Sequence, residues 1–340
     1  MLKSFIPLTC GVFLLIGLAD ATSGRAESIP EVSASRVIEL APPNSEEKMP
    51  VISSVAVDPA GKLLAAVGDD HLIRVFDLQS GELVDRLKSH TDWVKASAFR
   101  PDGQILATSG ADRRIRLWNM ASDGSSRNLP EQIQAVFTLA YSPDGRILAA
   151  AGFDDRIWVL DADQGRLIRE LAAPGSDIRA ICFSPDGTRM AAAGREGLVR
   201  IWDADSGRLI SDTQVSSRRI CALAYSPDGK LLAAAGQQRI VRLLDASSGK
   251  PLADLPERPG EVMAICFCGS NMLASAGSGN VIYLWDVDAR QERRRLVGHT
   301  GSVTTLVLDQ HTDTLISGGY DTTVRLWELR NQNSEKITKR

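Results

Sequence analysis

Polar and apolar positions alternate along this chain in a pattern that returns again and again. Short apolar runs, such as Asp177-Ile-Arg-Ala-Ile-Cys-Phe183, are separated by clusters of Ser, Pro, Asp and Gly. That spacing suits strands of a few residues joined by tight turns. Tyr141-Ser-Pro-Asp-Gly-Arg-Ile-Leu-Ala-Ala-Ala-Gly152 recurs from Phe183 to Gly194 and from Tyr225 to Gly236. The prolines of this motif stand at 59, 101, 143, 185 and 227, in steps of 42. Gly269 and Asp309-Gln310-His311 hold the same place in two degenerate copies. A second marker is an apolar residue followed by Asp, Asn or Glu: Phe76-Asp77, Trp118-Asn119, Leu160-Asp161, Trp202-Asp203, Leu244-Asp245, Trp285-Asp286 and Trp327-Glu328. Seven copies are present, and a period of this length is the mark of a repeat architecture.

Each copy predicts four strands. In the fourth, Asp177–Phe183 reads as strand a, Met190–Ala193 as b, Leu198–Trp202 as c and Arg208–Ile210 as d, the polar outer edge. Ser-Pro-Asp-Gly links a to b, with Pro where its fixed φ suits a type I turn and Gly at the fourth position. Arg195-Glu-Gly197 and Asp205-Ser-Gly207 supply the other two turns. A lone sheet of this size cannot bury both faces, so neighbours must stack, and a closed ring removes the open ends.

These residues resemble the WD-repeat (tryptophan-aspartate repeat) family over residues 36–329. The resemblance implies an all-β fold, a seven-bladed β-propeller with four antiparallel strands per blade. The last copy stops after strand c at Leu329, and Arg36-Val-Ile-Glu-Leu-Ala-Pro-Pro43 matches the strand d and loop of Arg166–Pro174. Hence a strand at Val37 to Leu40 is expected to pair into the blade of Thr304–Leu329 and close the ring. Residues 22–35 read as a flexible N-terminal segment and 330–340 as a polar tail.

Composition and charge narrow the function. The 340 residues are 44% hydrophobic and 24% charged, with a formal net charge of −3. No basic stripe of the kind a nucleic-acid binder needs is present. The short runs Arg113-Arg114, Arg218-Arg219 and Arg293 to Arg295 lie among acidic residues and read as solvated positions. Lys3, the apolar Phe5–Ala19 and the small residues of Ala19-Asp20-Ala21 form an export signal, with cleavage expected after Ala21 or, as a second choice, Ala26. The protein is therefore expected to be periplasmic or secreted, with no stable membrane span after cleavage; the alternative is an uncleaved N-terminal anchor. Cys182, Cys221, Cys266 and Cys268 fall in apolar segments and read as buried free thiols. Cys266 and Cys268 are expected on opposite faces of their strand, which disfavours a disulfide or a shared metal.

The resemblance also assigns roles. Two copies carry the family's hydrogen-bonded set in full: His90, Thr108, Asp112 and Trp118, and His299, Ser317, Asp321 and Trp327. The acid recurs as Asp70 and Asp154 and is replaced by Glu196, Gln238 and Gly279. The set contains the residue types of a hydrolase triad, yet it recurs at repeat positions without a Gly-x-Ser-x-Gly elbow, so it reads as structural. No metal site and no cofactor are expected, because the four histidines lack ligand spacing. The family's partner face is built from d–a loops and b–c turns. Mapped here, its candidate contacts are Trp93, Arg113, Arg114, Phe153, Arg156, Arg195, Arg239 and Tyr320. Trp158 takes a strand-c slot held by Arg116 and Arg200 in other copies and is expected to pack between blades. The expected function is an exported, non-enzymatic scaffold binding a protein or peptide partner on that face. The alternative is an enzyme or enzyme-associated sensor with a small ligand at the central channel, disfavoured because strands a and b are mostly Ala, Val, Ile and Leu.

Overall fold

Because side chains alternate across a strand, each apolar run commits one face to burial, and the repeat sets one antiparallel sheet after another. A computed structural model describes residues 29–40, 49–122, 125–129 and 134–330; among these there are seven sheets and no helix. We number the sheets as blades one to seven along the chain, with strands a to d running outward from the central axis. In blade four, strand a is Ile178–Phe183, b is Arg189–Gly194, c is Leu198–Asp203 and d is Leu209–Gln214. Strand d thus runs four residues beyond its expected end. Thr213 and Asp212 pair with Val199 and Arg200 even though they are polar. An edge strand faces solvent on one side and needs no apolar signature, which is why the pattern missed it.

The Ser-Pro-Asp-Gly turns close as expected. Gly187 sits at φ 72, a left-handed conformation suited to Gly, and its N–H donates to the Ser184 carbonyl at 2.9 Å. Ser184 Oγ accepts from the Arg189 N–H (2.9 Å) and donates to Asp186 Oδ1 (2.5 Å). The apolar clusters lie between blades. Ala191, Ala193, Val199 and Ile201 of blade four meet Ile220, Leu223 and Leu232 of blade five, for example. Alanines fill strand b because neighbouring inner strands crowd together there. Trp158 packs between blades two and three, in a cluster with Leu117, Leu129 and Val136.

Ring closure follows the expectation from the chain ends. Arg36–Glu39 pairs antiparallel with Thr323–Glu328, Arg36 opposite Leu326 and Glu39 opposite Thr323. The stretch just before it departs from expectation. Within the segment read as flexible, Glu31–Val32 adds a fifth, parallel strand to the outer edge of blade six, opposite Arg295 and Leu296. Val32 is buried with Ile282, Leu296 and Trp327, so an apolar seat between blades six and seven holds the segment. The segment expected to be an export signal, 1–21, and residues 331–340 of the expected tail lie outside the described residues.

The four cysteines among the described residues, Cys182, Cys221, Cys266 and Cys268, are free and half-buried. Cys266 and Cys268 do not face opposite sides: both pack on the cluster between blades six and seven. Residues two apart on a strand share a face. The Cys266 side chain and burial together push the Cys268 thiol well above its ordinary range.

Candidate functional site

In every blade the pairing of strands a and b slips by one residue near the start of strand a. The residues passed over are Ser53, Lys95, Phe137, Arg179, Cys221, Met263 and Thr304. A bulge leaves its residue outside the ladder and re-aims the side chain. Here all seven turn to one end of the central channel. With Trp93, Arg219, Gln237, Glu261 and Tyr320 they line a cavity of about 280 Å³. Close approach of the chain makes the bulge possible. A Cβ on Gly194, the last residue of strand b in blade four, would lie 2.3 Å from the Asp177 carbonyl oxygen.

Cations and aromatic rings gather on one side of this mouth. Trp93 Nε1–H donates to Ser53 Oγ at 2.5 Å, which fixes the indole. Lys95 Nζ lies 2.9 Å above the Trp93 ring centre and 5.7 Å from that of Phe137. The Arg179 guanidinium stands 4.4 Å from the Phe137 centre and 5.4 Å from that of Phe153, and the two phenyl rings meet edge to face at 4.6 Å. Such cation–ring contacts contribute on the order of 0.5–2 kcal/mol each. Asp177 is buried and held at φ 65, a left-handed conformation that is rare for a side chain other than Gly. Its carboxylate meets Arg179 Nε at 2.5 Å and Arg219 Nη2 at 2.8 Å. One strained acid therefore positions two guanidiniums from adjacent blades. Burial, and then the Arg179 charge, push the Lys95 ammonium down to about 8, while Asp92 and Asp69 pull the other way.

The opposite mouth is larger, about 1030 Å³, but chemically blander. Pro59, Pro101, Pro143, Pro185 and Pro227 ring it. Its carboxylates are occupied by their own turns: Asp58 Oδ1 accepts from the N–H groups of Lys62 and Leu63 at 2.6 Å, and Asp309 Oδ2 accepts from Thr312 Oγ1 at 2.5 Å.

The two polar sets form as the residue types implied. In blade two, Trp118 Nε1–H donates to Thr108 Oγ1 (2.9 Å), Thr108 bonds His90 Nε2 (2.8 Å), and His90 Nδ1 bonds Asp112 Oδ2 (2.9 Å). Arg116 adds a 2.8 Å ion pair to the same carboxylate oxygen. In blade seven, Trp327, Ser317, His299 and Asp321 repeat the chain at 2.8, 2.7 and 2.8 Å. Thr108 and Ser317 are 0% exposed, so neither hydroxyl can reach a substrate. Blade six carries a substitute: Arg258 stands where the histidine would be, 5.0 Å over the Trp285 ring, and pairs with buried Glu292 at 2.6 Å. Among the described residues no group of His, Cys, Asp and Glu is arranged to hold a metal.

The candidate partner contacts from sequence divide in space. Trp93 and Tyr320 line the mouth, and Phe153 flanks it beside Phe137. Arg195 is exposed on the b–c turn of blade four. Arg113 and Arg239 occupy left-handed turn positions at φ 61 and 64, and Arg114 follows Arg113 in blade two. Arg156 instead bonds Glu170 of the outer strand at 2.8 Å. Lys95, Phe137, Arg179, Glu261 and Met263 were not singled out in the sequence, and Arg219, read there as a solvated position, is instead half-buried and paired with Asp177. Five of the seven bulge positions break the Ala, Val, Ile and Leu pattern with polar or aromatic side chains, a 42-residue signal that reading strands as uninterrupted alternation concealed.

Against protein families, the description "WD domain, G-beta repeat" matches residues 45–77, 81–119, 126–161, 165–203 and 290–328, more than half of the chain. "Anaphase-promoting complex subunit 4 WD40 domain" matches residues 214–270. Among curated proteins, the chain is 49% identical over 43 residues to "Probable serine/threonine-protein kinase PkwA" of Thermomonospora curvata, covering 13% of this chain and 6% of that protein. It is 29% identical over 82 residues to "Histone acetyltransferase type B subunit 2" of Candida glabrata, covering 24% of this chain and 20% of the relative. The chain thus spans a small fraction of the length of either relative.

Proposed function

Because this chain belongs to the WD-repeat (WD domain, G-beta repeat) family, we propose that it is an exported interaction scaffold that holds a protein or peptide partner across the top face of the propeller. Fold alone does not assign a role, so the reading rests on a site. The observation that carries it is the bulge-lined mouth, where half-exposed cations and aromatic rings of different blades converge. Aromatic and Arg side chains in a partly desolvated centre are the usual anchors of an interface. Phe153 and Tyr320, 48% and 43% exposed, extend that surface to either side. The match to a family domain described as part of a complex subunit, and the likeness to a relative named as a subunit, agree with a role in assembly.

Export rests on the N-terminal pattern of Lys3, Phe5–Ala19 and Ala21. No helix of the described residues is long and apolar enough to cross a membrane. Two experiments test the two halves. Replacing Phe153, Arg195 and Tyr320 together by Ala is expected to abolish capture of a native partner from the envelope fraction without changing the circular dichroism spectrum. Equal capture by wild type and variant would overturn the top-face reading. N-terminal sequencing of the exported protein is expected to begin at residue 22 or 27, and an intact Met1 in the soluble cytoplasmic fraction would remove the export reading.

A further inference from the structure

Building on the top-face reading, we propose that the channel mouth is a receptor for one Asp or Glu side chain of an extended partner peptide, gripped by Lys95, Arg179 and Arg219. The charge balance points this way. Three cations stand on one side of the mouth, and the buried acid among them, Asp177, bonds Arg219 through Oδ2 and lies 2.5 Å from Arg179 Nε through Oδ1. Glu261 lines the far rim from blade six, so the lining of the mouth itself carries three cations and one acid, while Asp92 and Asp69 act on Lys95 from outside that lining. Among the described residues no carboxylate is paired with Lys95; its ammonium rests on the Trp93 ring. An incoming carboxylate would provide that pairing where water is partly excluded and charge-assisted hydrogen bonds are strong.

Size and strain agree with charge. A cavity of about 280 Å³ has room for a carboxylate side chain but not for a folded segment. The backbone is left to lie on the face between Phe153 and Tyr320. The left-handed Asp177 is the positioning residue. Strain of this kind is kept where the surroundings enforce it, commonly at binding sites. Titration adds a signature, since Lys95 loses its proton near pH 8. The charged and titratable groups around it are Arg179, Arg219, Asp177, Asp92, Asp69, Glu261, Cys221 and Tyr320. Cys221 is pushed up by burial, so it stays a neutral thiol over this range.

The test uses the full chain and an array of random decapeptides, each synthesised with an amidated and with a free C-terminus. Selected peptides are expected to share one internal Asp or Glu, and its replacement by Asn or Gln should weaken binding about tenfold or more. Lys95→Gln should cost a similar factor, and the peptide and protein changes together should cost no more than either alone. Binding should fall as pH rises through 8 in the wild type and persist to higher pH in Lys95→Arg, a response that a merely structural lysine would not give. Arg146→Gln, on the a–b turn at the opposite end of the channel, should bind as wild type does. Affinity carried by the free C-terminus, affinity indifferent to the acidic residue or to Lys95→Gln, or no selected peptide at all would each overturn the carboxylate receptor. Binding that ignores both the acid and Lys95 but is lost in the Phe153, Arg195 and Tyr320 variant would overturn this inference alone. Binding that survives that variant would remove the top-face reading as well.

Discussion

Thr108 shows how much one side chain holds in this molecule. Its hydroxyl accepts from Trp118 and bonds His90, joining strand c to the loop before strand a. Thr108→Val keeps the shape but strands two buried polar groups, and each costs about 1–3 kcal/mol when left unpaired. We expect urea unfolding of Thr108→Val to report a loss of roughly 2–4 kcal/mol. Ser317→Ala should lose a similar amount in blade seven. Acid should act on the same network in two stages. Burial lowers the His90 value below its ordinary 6.5, although the hydrogen bond to Asp112 opposes that. The unfolded chain then takes up this proton more readily than the folded one, so stability falls as pH drops through about 6.5. Burial alone would raise Asp112, but the His90 hydrogen bond and charge outweigh it and hold the carboxyl at about 2, against 3.8 when free. Its contribution is therefore complete above pH 3.8 and is lost as pH falls toward 2. Unfolding midpoints measured from pH 8 to 2 in wild type and Asp112→Asn should differ in the second stage.

At the scale of the element, the bulge at the start of strand a matters most. It depends on the chain coming close enough that strand b must end in glycine. In blade four a Cβ on Gly194 would meet the Asp177 carbonyl at 2.3 Å, a contact that backbone cannot relieve by rotating a side chain. Gly194→Ala should therefore push the start of strand a outward and release Arg179 and Arg219 from their shared acid. Destabilisation of about 2 kcal/mol or more is expected, since core overpacking costs 1–3. Loss of affinity for the acidic peptide should accompany it. A Gly194→Ala protein with wild-type stability and binding would show that the bulge is not held in this way. This element was only partly legible in sequence. Gly194 was visible as the end of a repeated Ala-Ala-Ala-Gly motif, and the residue after Ile178 breaks the apolar pattern at the repeat spacing, but that break does not by itself say that the residue leaves the ladder.

For the molecule as a whole, stability depends on the ring being closed. Each blade buries its faces against two neighbours, so an open ring would bare two apolar surfaces at once. Ile38 and Leu40, from the closing strand, sit in the cluster that joins blade seven to blade one. Ile38→Asp should lower the thermal midpoint by several degrees or more, because one unpaired buried charge costs a few kcal/mol. Deletion of residues 29–40 should do worse: the edge of Thr323–Glu328 would then be free to pair with another molecule, and size-exclusion chromatography should show association. Deleting only residues 29–34 removes the parallel strand on blade six but keeps closure, and a smaller drop without association is expected.

The architecture was readable from the chain because it is written in local chemistry repeated seven times. Turn residues with fixed φ preferences, small residues beside the axis, and a strand d found at the wrong end of the sequence leave little besides a closed propeller. The two polar sets were readable for the same reason: equal spacing in equivalent blades guarantees equal geometry. What tertiary structure decided is the mouth of the channel. Lys95, Phe137, Arg179 and Arg219 follow one another at intervals of 42, 42 and 40 positions, and each alone looks like an ordinary strand or loop residue. Only the ring brings blades two to five around one axis, and only the bulge turns Lys95, Phe137 and Arg179 into it. A strand's alternation specifies which side is buried; the convergence of several blades is a property of their closure, and no single segment encodes it.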